Sequence, residues 1–224
     1  MPIITKKKKS TITLTKAGKV RKKRRRAISY KGESRYRSPL GPNILNYGDI
    51  EYWAGVDVGF KGGMTIFTKD MKYVDGITFT LKNGNYDFHS TTKNIKSFFA
   101  PYLHSLFATI EICGPRKNDA KQALAVFMTG YGLCKASLAM LGIGYNEVSP
   151  LKWKGEMNLF NTGKEGSIFL AHSLFTIPSV YAKHDGVCES LLIGLYGREF
   201  LTNNGVVGYG LTKDEQIRFS RKEI

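Results

Sequence analysis

Four acidic residues stand in segments that are otherwise apolar and regular. Asp57 lies in "AGVDVGF", Glu111 in "ATIEIC", and Asp185 and Glu189 in "KHDGVCESLLIGLYG". A buried carboxylate without a partner is costly, so each acid needs a cation or hydrogen-bond donors. A salt bridge or an edge position would satisfy any one of them. Carboxylates that converge from two strands and a helix would instead form an oxygen-rich pocket suited to Mg²⁺ or Mn²⁺.

Such a pocket would support the hydrolysis of phosphodiesters. Two divalent cations about 4 Å apart can activate a water molecule and stabilise the leaving oxygen. Asp185 and Glu189 are four residues apart, so they project from one face of a helix. The glycines near Asp57 would let a backbone or a phosphate approach the strand end, although a glycine-rich hairpin explains them equally well. They are Gly55, Gly59, Gly62 and Gly63.

The elements that position these acids follow from hydrophobic periodicity. Residues 52–60, 63–69 and 74–81 are predicted as strands of an antiparallel meander, with a tight "KNGN" turn behind them. This assignment places Asp57 in the middle of its strand. After residue 91 the period becomes helical, and Ser90 or Thr91 is the predicted cap of this helix. Two further strands are predicted, at 106–113 and 142–150. The other predicted helices are 118–141, which is broken at "GYG", and 151–158, 164–175 and 183–202. The order predicts a mixed α/β sheet with helices on its faces.

The positive charge is concentrated at the N-terminus. Residues 1–39 hold fifteen basic residues and one acid, whereas the remainder holds 19 basic and 17 acidic residues. Such a segment stays solvated until it meets a polyanion. We therefore predict a disordered basic arm and linker at residues 1–48, a folded domain at 49–203 and a polar tail at 204–224. An arm that binds nucleic acid is favoured over an organelle or nuclear targeting signal.

The cysteine count and the hydropathy exclude other classes. Three cysteines without CxxC spacing argue against a disulfide framework and a structural zinc site. No apolar run approaches the roughly 18 residues of a membrane span, so no membrane partner is predicted. The expected location is the cytoplasm, that of a bacterial host if the protein is phage-encoded. The basic arm leaves an organelle or the nucleus open.

Five blocks, in order, carry a family resemblance: "GVDVGFKGG", "TIEI", "GYGLCKASLAMLGIGYNEVSPLKWK", "GKEGS" and "KHDGVCESLLIGLYG". Together they resemble the signature blocks of RuvC-like Holliday-junction resolvases, especially the shorter phage and organelle branch. The match spans residues 52–200 and omits the arm. It implies an RNase H-like five-stranded mixed sheet, a homodimer, and paired symmetric nicks across four-way DNA junctions with divalent metal.

The resemblance also implies a role for each acid. Asp57 matches the first-strand aspartate, Glu111 the glutamate of the fourth strand, and Glu189 the last-helix acid, so these residues would hold two Mg²⁺ or Mn²⁺ per site. Asp185 lies near the other helix acid of the family. Its spacing to Glu189 is four residues where the bacterial enzymes have three, which leaves open that His184 shares or replaces its role.

Basic residues complete the predicted site. Lys164 resembles the lysine that heads the penultimate helix and serves the scissile phosphate. The predicted DNA contacts are Lys61, the loop residues Arg116 and Lys117, and the pair Lys152 and Lys154 after the fifth strand. Trp153 is predicted to pack in the core rather than to stack on a base.

Two other functions remain open on the sequence. A sugar-kinase or actin-like ATPase shares the "GxDxG" strand and the sheet order, but needs a second phosphate hairpin that "NNGVVGYG" matches poorly. A DNA-binding or packaging protein without activity would carry its charge in the arm. The presence of all three core acids, Asp57, Glu111 and Glu189, argues against the second alternative.

Overall fold

The computed structural model of the chain describes residues 49–79, 81–112, 114, 120–203 and 210–220. The predictions for the basic arm, for Arg116 and Lys117, and for much of the C-terminal tail lie outside these residues. These predictions are therefore not tested by the structure.

Five strands form one sheet, in the order β3-β2-β1-β6-β7. They are β1 (Tyr52–Asp57), β2 (Gly63–Thr68), β3 (Tyr73–Thr78), β6 (Leu106–Glu111) and β7 (Gly144–Val148), while β4 (Leu81–Lys82) and β5 (Asn85–Tyr86) pair as a separate hairpin around the "NG" turn. Strands β1, β2 and β3 run antiparallel, and β6 and β7 run parallel to β1. The predicted mixed sheet and its meander are confirmed.

Helices cover both faces of this sheet. They are α1 (Phe88–Phe99), α2 (Lys121–Met140), α3 (Pro150–Glu156), α4 (Gly163–Leu174), α5 (Asp185–Asn203) and α6 (Lys213–Ser220). One buried cluster joins the sheet to α1 and α2, and a second joins the opposite face to α3, α4, α5 and α6. The predicted α/β architecture with helices on both faces is therefore confirmed.

Several boundaries differ from the sequence-based prediction. β1 ends at Asp57, so the acid stands at the carboxyl end of the strand and not in its middle. Helix α1 begins earlier than predicted because Asp87, not Ser90 or Thr91, is its N-cap, with an Asp87 carboxylate oxygen accepting from the Ser90 N–H at 2.9 Å. Helix α2 is unbroken at "GYG", since Gly130 packs against the buried Tyr86 ring within a regular helix.

Helix α2 is unusual in being apolar around most of its circumference. By length and composition alone it could cross a membrane, with a mean hydropathy of 1.4 and 28% of that stretch buried. The prediction that no apolar run approaches the length of a membrane span missed this helix, because polar residues are dispersed along it. In this fold Val126, Leu133 and Leu138 of α2 lie in the core against the sheet.

Helix α5 lies directly on β1 because glycines remove the side chains between them. A Cβ at Gly55 would overlap the Ser190 carbonyl oxygen, and one at Gly194 would lie 2.8 Å from the Gly55 nitrogen. A Cβ at Gly186 would overlap the Lys61 carbonyl oxygen in the β1–β2 turn. The predicted close approach of a backbone is therefore confirmed at Gly55, where the backbone of α5 occupies the space beside the strand.

Candidate active site

The alternation of side chains along β1 and β6 brings two acids to one end of the sheet. Trp53 and Phe107 face the α5 side, so Asp57 and Glu111, four residues further along, face the same side. The parallel register pairs Val56 with Ile110, and the two acids follow this pair directly. Neighbouring strands lie about 4.8 Å apart, so the carboxylates are adjacent.

The beginning of α5 adds two more acids to this end. An isolated parallel bridge joins Gly62 to Gly186 and fixes the first turn of α5 beside the β1–β2 turn. Asp185 and Glu189 therefore stand over the strand ends. His184 precedes the helix, and its Nδ1 accepts the Val187 N–H at 3.2 Å. That nitrogen serves as a helix cap, whereas the Asp185 carboxylate pairs with Lys164.

The four acids influence one another electrostatically. Asp57 is half-buried, and burial together with the negative charge of Glu111 raises its pKa well above the ordinary value. Glu189 and Asp185 raise this pKa further, and the positive charge of Lys154 opposes them. The end of the sheet thus holds more negative charge than its own residues neutralise.

Glu189 has two donors from neighbouring helices. Lys154 of α3 approaches Glu189 Oε1 at 2.7 Å, and the buried Ser167 hydroxyl of α4 donates to the same oxygen at 3.0 Å. Both partners are positioned by helices that pack on α5. The carboxylate is therefore held in one orientation near Asp57.

Asp185 forms an ion pair with Lys164 in the first turn of α4. Burial opposes ionisation of Asp185, but the hydrogen bond and charge of Lys164 lower its pKa below the ordinary value. The same hydrogen bond raises the pKa of Lys164. The lysine side chain is 67% exposed, so it can reach a ligand from solvent as well as the acid.

Glu111 receives a hydrogen bond from a tryptophan. The Trp153 Nε1–H donates to Glu111 Oε1 at 2.8 Å, and both side chains are buried. Trp153 is completely inaccessible, so it packs in the core as predicted and has no face for a base. Its N–H nevertheless reaches the candidate site, which the sequence analysis did not foresee.

The other predicted basic residues lie in different places. Lys61 is exposed in the turn that follows Asp57, at the edge of the acid cluster. Lys152 points elsewhere, because its ammonium lies 4.1 Å from the Phe200 ring centroid and 5.9 Å from that of Tyr196. Residues two positions apart on a helix point in different directions, so the side chain of Lys152 lies away from that of Lys154 and from the acids.

The donor set suits a hard divalent cation. Among the described residues no three histidine, cysteine, aspartate or glutamate side chains already form a metal-holding group. Glu189 is paired with Lys154 and Asp185 with Lys164, while Asp57 has excess negative charge around it. All the acidic donors are oxygens, the type that Mg²⁺ and Mn²⁺ prefer. Burial raises the pKa of the Cys188 thiol to about 12, which disfavours its thiolate form.

Two members of the site escaped the sequence analysis. Trp153 was assigned to packing alone, and Ser167 was not singled out. A signal existed for Ser167, since it follows Lys164 by three residues in "GKEGS" and so shares its helix face. The hydrogen bond of Trp153 had no local signal, because Glu111 is 42 residues away in the chain.

Comparison with solved structures identifies the fold. No protein-family profile and no curated protein matches the sequence. Thermus thermophilus RuvC in complex with a Holliday junction substrate superposes with a TM-score of 0.52 at 12% identity, covering 69% of this chain and 97% of that one. Another T. thermophilus RuvC structure gives a TM-score of 0.48 at 14% identity, over 69% and 98% of the two chains. The chain has a RuvC-like fold, as the resemblance implied.

Proposed function

We propose that this RuvC-like chain is a metal-dependent endonuclease that cleaves four-way DNA junctions by paired symmetric nicks. The observation that carries the proposal is the convergence of Asp57, Glu111, Asp185 and Glu189 at one end of the sheet. The raised pKa of Asp57 is the electrostatic signature of that convergence. A structure with the same fold holds a Holliday junction substrate, which supports branched DNA as the ligand.

The four acids would hold two Mg²⁺ or Mn²⁺. When bound, such cations supply an activated water and stabilise the leaving oxygen of a phosphodiester. Asp185 is preferred to His184 as the fourth ligand, because Nδ1 of His184 already accepts a backbone N–H. Lys154 and Lys164, which pair with Glu189 and Asp185 in the metal-free protein, would be available to the DNA with divalent cations bound to these acids.

The released lysines would then act on the DNA. Lys164 is exposed and stands at the N-terminus of α4, so it steadies the negative charge that develops on the scissile phosphate. Lys154 and Lys61 contact neighbouring phosphates. Lys152 is a weaker candidate on account of its position over Phe200.

The remaining DNA contacts are proposed from the sequence. Arg116 and Lys117 would contact the backbone, and the basic arm would add affinity through counterion release without reading sequence. Deleting residues 1–39 should flatten the salt dependence of junction binding and leave the cut positions unchanged.

A homodimer would account for paired cuts, because two equivalent sites are needed for two symmetric nicks. The face of α2 that points away from the sheet supports such an assembly. It exposes apolar residues, including Met128 at 44% and Met140 at 88% of their accessible areas. We propose the outer side of α2 around these methionines as the dimer interface.

The test is a nicking assay on a synthetic four-way junction, beside plain duplex, flap and RNA/DNA hybrid, with Mg²⁺, with Mn²⁺ and with EDTA. Asp57→Asn should abolish metal-dependent cleavage and spare junction binding, because it removes charge but little volume. Asp70→Asn, at an exposed acid in the β2–β3 turn, is the matched control and should cut normally.

Normal cutting by Asp57→Asn would show that the site is assigned wrongly. Binding of ATP without any cutting would favour the ATPase, and junction binding without cutting by the wild type would favour a non-catalytic DNA-binding protein.

A further inference from the structure

Trp153 is the one indole in contact with the acid cluster among the described residues. Its N–H donates to Glu111 Oε1 at 2.8 Å, and neither side chain is accessible beyond 9%. An indole N–H is a single donor with a fixed direction. A tryptophan locked by packing therefore sets the rotation of the carboxylate that it contacts.

Packing fixes Trp153 from several sides. It is fully buried in the cluster that joins α3 to α5 and to the sheet, and the Lys154 ammonium lies 5.0 Å from its ring centroid. Lys154 also holds Glu189. Two consecutive residues of α3 thus reach two acids that come from different elements, a strand and a helix.

We propose that Trp153 is a positioning residue that holds Glu111 in the orientation needed to bind the divalent cation. The inference rests on the proposed function, since it concerns the same metal site. Glu111 stands on a strand of the sheet, and its side chain has three rotatable bonds. The Trp153 N–H restrains these bonds by its hydrogen bond to Oε1. Hydrogen bonds to carboxylates that bind metals orient them, and their loss typically lowers metal affinity 10–100-fold.

The competing explanation is that Trp153 only fills space. The chain offers a matched control, because Trp53 is equally buried in the same hydrophobic cluster and packs on Phe107 with ring centroids 5.7 Å apart. Trp153→Phe and Trp53→Phe remove the same atoms from the same core. Only the first removes a donor to an acid of the site.

The experiment titrates the full-length wild type and both variants with Mn²⁺, following the electron paramagnetic resonance signal of free Mn²⁺. Thermal unfolding of each variant in EDTA measures stability separately. Trp153→Phe should weaken Mn²⁺ binding about 10–100-fold, and raising the Mn²⁺ concentration should restore its junction cleavage. Trp53→Phe should lose stability but bind Mn²⁺ as the wild type does.

Equal Mn²⁺ affinity in the two variants would overturn the inference, whether both match the wild type or both weaken together. If Trp153→Phe fails to fold, benzothienylalanine at position 153 in the Trp53→Phe background keeps the bicyclic shape and replaces the N–H by sulfur. The same loss of affinity is expected, and an unchanged affinity would again refute the positioning role.

The wild type separates this inference from the proposed function. A wild type that binds no Mn²⁺ and cuts no junction would overturn both. A wild type that binds and cuts, beside a Trp153→Phe variant with full affinity, would overturn the role of Trp153 alone.

Discussion

Helices α5 and α2 cover opposite faces of the same sheet by different means. Helix α5 approaches β1 through glycines, and its residues from Gly186 to Gly197 are buried with the exception of half-buried Glu189. Helix α2 contacts the sheet through large side chains and leaves Met128 and Met140 exposed. Because α5 packs so closely on β1, it has little room to shift. This keeps Asp185 and Glu189 of α5 in place beside the acids of the strands. The outer side of α2 is the surface that we propose for the homodimer interface.

The largest difference in stability is expected from a glycine-to-alanine substitution made once in each helix. A Cβ at Gly194 of α5 would lie 2.8 Å from the Gly55 nitrogen and from the Phe67 ring, whereas a Cβ at Gly132 of α2 meets nothing within 4 Å. Gly194→Ala should destabilise the protein by about 1–3 kcal/mol through overpacking. Gly132→Ala should stabilise it by about 0.5–1 kcal/mol, because alanine restricts the unfolded chain and favours the helix.

Urea unfolding of the two variants measures both effects. Gly194→Ala should also reduce junction cleavage, since α5 carries Asp185 and Glu189. A Gly194→Ala variant as stable as the wild type would show that α5 has room to move, and the contrast between the two helices would disappear.

The second contrast concerns a lysine on each face. Lys154 pairs with Glu189 among four acids, while Lys135 of α2 pairs with Glu147, which also accepts the Tyr131 hydroxyl at 2.6 Å. Lys154→Met should destabilise the metal-free protein by about 1–2 kcal/mol, because it leaves repulsion uncompensated. Lys135→Met should cost at most about 1 kcal/mol.

Metal provides the discriminating measurement for this pair. Mn²⁺ should raise the Tm of Lys154→Met more than that of the wild type, because the cation replaces the lost ammonium. It should not act differently on Lys135→Met. An equal rise of Tm with Mn²⁺ in the two variants would show that Lys154 does not compensate the charge of the acid site.

The third contrast is the neutralisation of one acid on each face. Asp57→Asn should stabilise the metal-free protein at neutral pH by about 0.5–2 kcal/mol, the usual size of a stabilising substitution, because it removes a half-buried charge that neighbouring acids repel. Glu147→Gln should instead be neutral or destabilising, since it loses its pair with Lys135. Thermal unfolding in EDTA compares the two.

The pH dependence gives the sign of the Asp57 effect. The folded protein holds the Asp57 proton more tightly than the unfolded chain, because the folded-state pKa is raised above 3.8. Ionised Asp57 therefore lowers stability fully above that folded-state pKa, and the cost declines as the pH falls from there towards the unfolded-state value, below which it is gone. The difference in free energy of unfolding between Asp57→Asn and the wild type should therefore decrease as the pH is lowered. An advantage that stays constant from neutral pH down to pH 4 would contradict the raised pKa.

The smallest effect on stability is expected at the exposed face of α2. Met128→Asp should change the free energy of unfolding of the monomer by less than about 0.5 kcal/mol. It should shift a homodimer towards monomer, because a charge would be buried in the interface. Sedimentation velocity at several concentrations measures the shift. An unaltered dimer would place the interface on another surface.

Much of the fold was predictable because its signals are local. The alternation in residues 52–81 is enough for the meander, and the change of period after residue 91 marks α1. Helix limits were less predictable where the deciding contact is distant. Gly130 suggested a break in α2, but its flat surface receives the ring of Tyr86, which lies 44 positions earlier in the chain.

The sequence by itself determined which residue types could meet at the site, because acids in apolar segments are expensive and must have partners. It named Asp57, Glu111, Asp185 and Glu189, and the family resemblance added Lys154 and Lys164. Only the tertiary structure decided how these residues pair. The parallel register of β1 and β6 set Asp57 beside Glu111, and the glycine contact of α5 set the helix acids above them. Trp153 acquired its role in the same way, since hydrogen bonds between distant residues depend on packing that no local pattern encodes.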